Sequence, residues 1–259
     1  MRDFRGLQKF VRQNIYIYIA VRKFAPYICQ YFELEDGFSF LSEIQFKSSA
    51  VAMDVGSNDG TSISLISKHI KGVRIECFDP VRSPINLRQT NAQVFFNSFG
   101  LSETGGHSTI YIPVVKGTKI TQYSSLLKDA MVSQMRHDLS LKEEDIQLVE
   151  QDVEFRRMDD LALCPFFIKV DVEGSELNVL RGGRSTLVKN LPIVLVEIQN
   201  SEIYDEIASF FKEIDYANYI PNTSKKNRWI DVGLNSKFDI RYNNYLWLPN
   251  QPSPTWTYK

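Results

Sequence analysis

The run Phe167-Ile168-Lys169-Val170-Asp171-Val172-Glu173-Gly174-Ser175-Glu176 sets a lysine and two carboxylates at alternate positions in apolar surroundings. Residues two apart share one face of an extended chain, so Lys169, Asp171 and, if the chain stays extended, Glu173 face the same way. A lysine in the last half of an apolar strand costs desolvation energy unless it is paired. A carboxylate at a strand end can take the proton of an acceptor hydroxyl, and a positioned base typically contributes ~10²–10⁴-fold in rate. The lysine can hold those acids or stabilise a developing alkoxide. Asp171 is therefore the first candidate for base, Glu173 the second, with Lys169 beside them. A structural ion network uses the same residue types, and that alternative stays open.

A second group sits in Asp54-Val55-Gly56-Ser57-Asn58-Asp59-Gly60, a turn between an apolar run and a helical pattern. In an open parallel sheet, ligands bind beyond the carboxyl ends of the strands. A dinucleotide turn carries three glycines, because a pyrophosphate needs close backbone approach at a helix N-terminus. Here there are two glycines and two carboxylates, which repel a pyrophosphate and suit a ligand with a cationic end, such as S-adenosylmethionine. Gly56 would let the backbone pass close to that ligand, and Gly60 would let the next helix pack near the sheet. Asp79, about 20 residues further on, stands where an acid receives ribose hydroxyls. Such charged hydrogen bonds are worth ~1.5–3 kcal/mol each. The candidate cofactor contacts are Asp54, Val55, Gly56, Ser57, Asn58, Gly60, Asp79, Pro80, Ser98 and Asp171. Asp171, Glu173 and a further acid could hold a divalent ion, but the ligand set is incomplete, so no metal is assigned. His69 falls on a helix, His107 and His137 fall in loop-like regions, and none has a motif.

The elements that must position these residues alternate. Strands are expected in the apolar run 49–56 and at Val73–Phe78 and Gln93–Asn97, with helices at Thr61–Ile70 and Pro84–Thr90 between them. The pattern resumes with strands Val153–Arg157 and Phe166–Val170, helix Glu176–Arg181, strand Ile193–Val196 and helix Glu202–Lys212. This order predicts an α/β domain with a mostly parallel central sheet and helices on both faces. Gly105-Gly106 marks a turn, and the polar stretch 113–150, with a helix opening at Ser124-Ser125, reads as an insertion over the binding face. The domain is expected over 48–259, preceded by a helical extension over 1–47.

These segments, in this order, resemble FkbM-type methyltransferases. The resemblance rests on Asp54–Gly60, Phe78-Asp79-Pro80, Met158-Asp159-Asp160-Leu161, Ile168–Glu176, Val179-Leu180-Arg181-Gly182 and Val196-Glu197, within about Ala50 to Gln199. Ser57 stands where alanine is common and Asp79 where glutamate is common. The resemblance implies a Rossmann-like, class I, S-adenosylmethionine-dependent methyltransferase, usually acting on oxygen and often on sugars or secondary metabolites. A sugar hydroxyl in a bacterial-type surface glycan is the expected acceptor. A small secondary metabolite, a peptide, or a non-catalytic adenosine-binding role in a glycan-assembly complex are the alternatives.

Composition bounds the partners. The chain has 259 residues, 43% hydrophobic and 24% charged, which excludes intrinsic disorder and collagen-like architecture. Lys plus Arg number 30 against 31 Asp plus Glu, a balance that argues against a nucleic-acid partner. Three scattered cysteines, Cys29, Cys77 and Cys164, form no disulfide framework and suit reduced thiols in a cytoplasmic protein. The charge concentrates at the N-terminus, where residues 1–32 hold six basic side chains and only Asp3 as acid. Phe4, Leu7, Val11, Ile15 and Tyr18 recur at helical spacing. The apolar stretch Ile15–Val21 is far short of the ~20 residues a membrane span needs. This helix either packs on the domain or lies on an anionic inner membrane face as a peripheral contact. All three tryptophans fall late in the chain. Trp247 reads as part of a core or edge strand, and Trp229 as a loop residue able to stack on a sugar.

Overall fold

β-branched and aromatic runs become strands here because both faces of the sheet they form are covered. The structure, a computed structural model, describes residues 14–28, 37–81, 90–221, 229–231, 238–239 and 242–259. The helices are α1 (Ile15–Ile28), α2 (Thr61–His69), α3 (Lys128–Leu139), α4 (Glu176–Gly182), α5 (Arg184–Asn190) and α6 (Ser201–Glu213). The first strands are β1 (Ile44–Phe46), β2 (Val51–Val55), β3 (Arg74–Phe78), β4 (Gln93–Asn97), β5 (Gly100–Leu101), β6 (Gly106–Val115) and β7 (Thr118–Lys119). They are followed by β8 (Ile146–Arg156), β9 (Pro165–Val170), β10 (Ile193–Glu197), β11 (Tyr216–Pro221), β12 (Trp229–Asp231), β13 (Asn244–Pro249) and β14 (Trp256–Tyr258).

Among the described residues, eight strands form the central sheet in the order β12-β11-β13-β10-β9-β2-β3-β4. From β10 to β4 all neighbours are parallel, whereas β13 is antiparallel to both β10 and β11. Strand order reverses between β2 and β9, which opens a crevice at their carboxyl ends. Alternation along the strands divides the core. Met53, Val55, Ile168, Val170 and Val196 pack under α4, α5 and α6, while Ala52, Ile75, Phe167 and Leu195 pack under α2 and the 3₁₀ turn Phe38–Glu43. Strands buried on both faces read as near-continuous apolar runs. Trp247 is fully buried and stacks on Phe211 with ring centroids 4.4 Å apart, which places it in the core of β13.

A second sheet, β5-β8-β6-β7, stands apart. It takes residues from Gly100 to Arg156, wider than the 113–150 insertion the sequence suggested. The reason is the length of the β6–β8 pairing, which runs from Gly106 opposite Phe155 to Val115 opposite Ile146. Its inner face has a small core of its own, in which Ile110, Ile112 and Val153 close around Val81. Ser125 does not open a helix. It bridges to Tyr111, donating to and accepting from that backbone, and α3 starts at Lys128. His107 lies on β6 and His137 on α3 rather than in loops, both exposed and each beside an aspartate. Trp229 opens the edge strand β12 rather than lying in a loop. The helix expected at Pro84–Thr90 and the helical spacing before Ile15 lie outside the described residues, apart from Thr90.

Gly182 shows what the Val179–Gly182 motif is for. A Cβ there would overlap the backbone carbonyl oxygen of Ser102, so α4 approaches the start of the second sheet only through a glycine. Gly182→Ala gains up to ~1 kcal/mol of helix propensity but must push α4 off that backbone. The overlap should win. Urea unfolding is expected to show a net loss of about 1–3 kcal/mol, and an unchanged or raised stability would overturn this account of the motif.

Candidate active site

At the switch point the end of β2 is clasped from both sides. Gly56 N–H donates to the Phe78 carbonyl at 2.9 Å, and Asp171 N–H donates to the Val55 carbonyl at 3.0 Å. Gly56 has φ +84°, and a Cβ there would overlap the Asp171 carbonyl oxygen. The glycine is thus required by the chain's own backbone, where the sequence suggested only a ligand's approach. The turn continues through Asn58 at φ +38° and closes at Gly60, φ +85°, which caps α2.

Asp79 follows β3. Its Oδ2 accepts the Asn58 N–H and its Oδ1 the Val81 N–H, both at 2.8 Å. Burial pushes its pKa up, the two N–H donors pull it down, and the nearby Asp171 raises it again, leaving it at about 6. Each oxygen keeps a second lone pair for another donor. Asp54 is fully buried behind the turn, where its Oδ2 accepts the Ser62 hydroxyl at 2.7 Å.

Lys169 is 1% exposed, with its ammonium 3.5 Å from Asp171 and 3.8 Å from Glu197. Glu197 comes from the end of β10, where Leu195 is in register with Lys169. The chain does not stay extended past Asp171, so Glu173 departs from the expected shared face. Glu173 and Gly174 have φ +52° and +98°, turning the loop back on itself. Glu173 Oε2 accepts from the Gln199 side chain at 3.0 Å, and Gln199 accepts in turn from Gln134 of α3 at 3.0 Å. Glu176 clamps the same loop, its Oε1 accepting the Val172 and Gly174 N–H groups at 3.2 and 3.0 Å. Burial raises its pKa against those donors. Asp159 has a holding role too. It accepts the Thr186 and Ser185 N–H groups at 2.8 and 3.2 Å and so caps α5. Burial would raise its pKa, but those donors outweigh it and hold the carboxyl below the usual range.

A cleft of about 980 Å³, open solvent included, runs over this point. Its inner wall holds Val55, Gly56, Ser57, Asn58, Asp79 and Pro80, with Lys169, Asp171 and Glu173 beside them. Of the expected residues, Asp54 and Gly60 shape the turn without lining the cleft. Ser98 is exposed and outside it, because the chain leaves the edge strand β4 there and reaches the cleft only at Gly100 and Leu101. Neither His107 nor His137 lines it. The outer wall comes from the segment between β7 and α3, Thr121, Gln122, Ser124, Ser125 and Leu126, with Ile110 and Phe155 of the second sheet; it falls in the stretch that the sequence set over the binding face, although none of these residues was singled out as a contact. Thr121 Oγ1 donates to Asn58 Oδ1 at 2.9 Å, tying the two walls together. The polar character of that stretch gave its place over the binding face but not its contacts.

The parallel sheet, the reversed order at β2 and β9, and the antiparallel β13 between β10 and β11 define a Rossmann-like methyltransferase fold. The model of the methyltransferase FkbM domain matches residues 54–219, and the chain belongs to that family of enzymes. Among solved structures it is similar to methyltransferase FkbM from Methylobacillus flagellatus KT, at 17% identity and TM-score 0.44 over 83% of this chain. The chain spans 48% of that protein's length. It is also similar to precorrin-6y C5,15-methyltransferase from Geobacter metallireducens GS-15, at 11% identity and TM-score 0.35, over 80% of this chain and 82% of that one. A search of curated protein sequences returned no match.

Lys169 is the buried cation that faces Asp171 and Glu197 at the strand ends. Lys169→Ala removes it and leaves a void, a change that costs about 3–5 kcal/mol when a buried ion pair loses one partner. Denaturant unfolding at pH 8 reads the loss, and a variant as stable as the native protein would rule out this role.

Proposed function

We propose that the protein transfers the methyl group of S-adenosylmethionine to a hydroxyl of a sugar in a surface glycan or glycoconjugate. The observation that carries this reading is the division of the cleft. Its inner part holds the carboxylates Asp59, Asp79, Asp171 and Glu173 against Lys169, the one cation among the described lining residues, whereas its outer wall offers the uncharged hydroxyls and amide of Thr121, Gln122, Ser124 and Ser125.

The residues present fit the cofactor. A sulfonium and an ammonium are favoured beside a surplus of carboxylates, and a pyrophosphate is not. Asp79, its oxygens fixed by two backbone donors, retains lone pairs for the ribose diol. When bound, S-adenosylmethionine supplies an electrophilic methyl carbon and leaves as the neutral thioether. Asp171, 3.5 Å from the Lys169 ammonium, lines the cleft and is available to take the acceptor's hydroxyl proton. The walls orient the acceptor and exclude water, which is where an in-line displacement gains most. Among the described residues the outer wall carries no charge to meet a phosphate or carboxylate, so it favours a neutral polyhydroxyl acceptor.

Calorimetry with S-adenosylmethionine and S-adenosylhomocysteine tests the cofactor. Asp79→Ala should weaken binding by about 10–100-fold, and an unchanged dissociation constant in a folded variant would remove Asp79 from the cofactor site. The pH dependence has a definite sign. Ribose hydroxyls donate to the ionised carboxyl, so affinity is full above pH 6 and falls as Asp79 protonates below it. A flat profile between pH 5 and pH 8 would contradict that contact. A labelled-methyl screen over lipid-linked and nucleotide-linked sugars tests the acceptor. With any acceptor so found, Asp171→Asn should abolish most turnover while cofactor affinity stays within about tenfold. If both fall together, Asp171 binds cofactor and the base lies elsewhere.

A further inference from the structure

Helix α1 is apolar on two opposite faces, and among the described residues only one of them is covered. Inward, Tyr18 and Ala25 are buried, and the Tyr18 ring lies 6.4 Å from that of Tyr123. The helix also packs against α2. The sequence had grouped Tyr18 with a possible membrane face, but its side chain is committed to the domain. Outward, Tyr16 is 66% and Phe24 56% exposed, with Ala20 exposed between them and Val21 alongside. Positions 16, 20 and 24 fall one above the other on a helix, so these side chains form a continuous stripe.

We propose that this stripe docks α1 on the surface of an anionic lipid bilayer. Two observations choose that occupant. The first is charge. Residues 1–32 hold six Lys or Arg and one acid, with Arg22-Lys23 inside α1 and Arg12 just before it, while the rest of the chain is net acidic. A second copy docking by the same patch would bring two such basic segments face to face, which a two-fold contact cannot avoid. An anionic surface meets both the stripe and the charge. The second is length. Fourteen residues extend about 21 Å at ~1.5 Å per residue, short of the ~30 Å hydrocarbon core. Among the described residues no helix is long and apolar enough to cross a membrane. The helix therefore lies in the interface, with Tyr16 and Phe24 as the side chains that enter it.

Docking has a position relative to the cleft. Tyr123, which meets Tyr18, is two residues past Thr121, whose hydroxyl joins the outer wall to Asn58. A membrane-bound α1 thus holds the acceptor wall close to the lipid surface. The proposal does not depend on the acceptor, because vesicle binding is read without turnover.

Co-sedimentation of the full chain tests it, using phosphatidylcholine vesicles with and without phosphatidylglycerol at low and high salt. Pelleting is expected with the phosphatidylglycerol vesicles at low salt, falling at least fivefold at high salt, and weakly or not at all with phosphatidylcholine alone. Tyr16→Ser with Phe24→Ser should reduce binding about tenfold while circular dichroism and cofactor affinity stay unchanged. If that pair misfolds, Lys9→Glu with Arg12→Glu should lower vesicle binding alone. Absence of pelleting with anionic vesicles at low salt overturns the proposal. So does binding indifferent to both pairs of substitutions. Sedimentation velocity that shows a dimer broken by Tyr16→Ser with Phe24→Ser would assign the stripe to a second copy instead.

Discussion

The cleft depends on the contact between the backbones of Gly56 and Asp171. Two neighbouring parallel strands end there, and the turn after one passes so close to the residue after the other that no side chain fits between them. The bond from Asp171 N–H to the Val55 carbonyl carries the pairing one step past the strand ends. The candidate base therefore has no freedom relative to the cofactor turn. Motif residues that look chemical serve this placement. Glu176 pins the loop beyond Asp171, and Asp159 caps α5. A family motif here records how the backbone is held as much as what reacts.

Electrostatics then decides which acids are usable. Lys169 is sealed inside and faces two carboxylates that stay partly exposed, so the pair can exchange with water at the open end while the ammonium cannot. Asp79 has a different balance. Its backbone donors stabilise the ionised form, yet burial outweighs them and lifts the carboxyl above its usual range. A group so poised gains from any ligand that brings further donors, since these favour the charge that burial opposes.

Much of the main sheet was legible because strands buried on both faces show as short apolar runs, and because helices between them keep a 3.6-residue period. The glycine turn, Asp79 and the Lys169–Asp171 pair were legible for the same local reason: their spacing along the chain is their geometry. Of the outer wall only the stretch that forms it was legible, not its contacts. Thr121, Gln122 and Ser124 reach the cleft because β6 and β8 pair over a long register, and no local pattern encodes that partner. Glu173 was misjudged because two consecutive left-handed residues follow Val172, a bend that non-glycine residues seldom adopt and a period-2 reading cannot foresee. Ser98 was misplaced by the end of an edge strand, where there is no neighbour to fix the direction of the chain.

The small core of the second sheet contains Val81, and the N–H of Val81 is one of the two donors that hold Asp79. The sheet that shapes the acceptor wall is therefore not a detachable module. Drift in Ile110, Ile112 or Val153 shifts Val81 and, through it, the carboxyl proposed to receive the ribose. Lineages that explore new acceptors by repacking this sheet inherit a constraint from the cofactor, and only those changes that leave Val81 in place are free to spread.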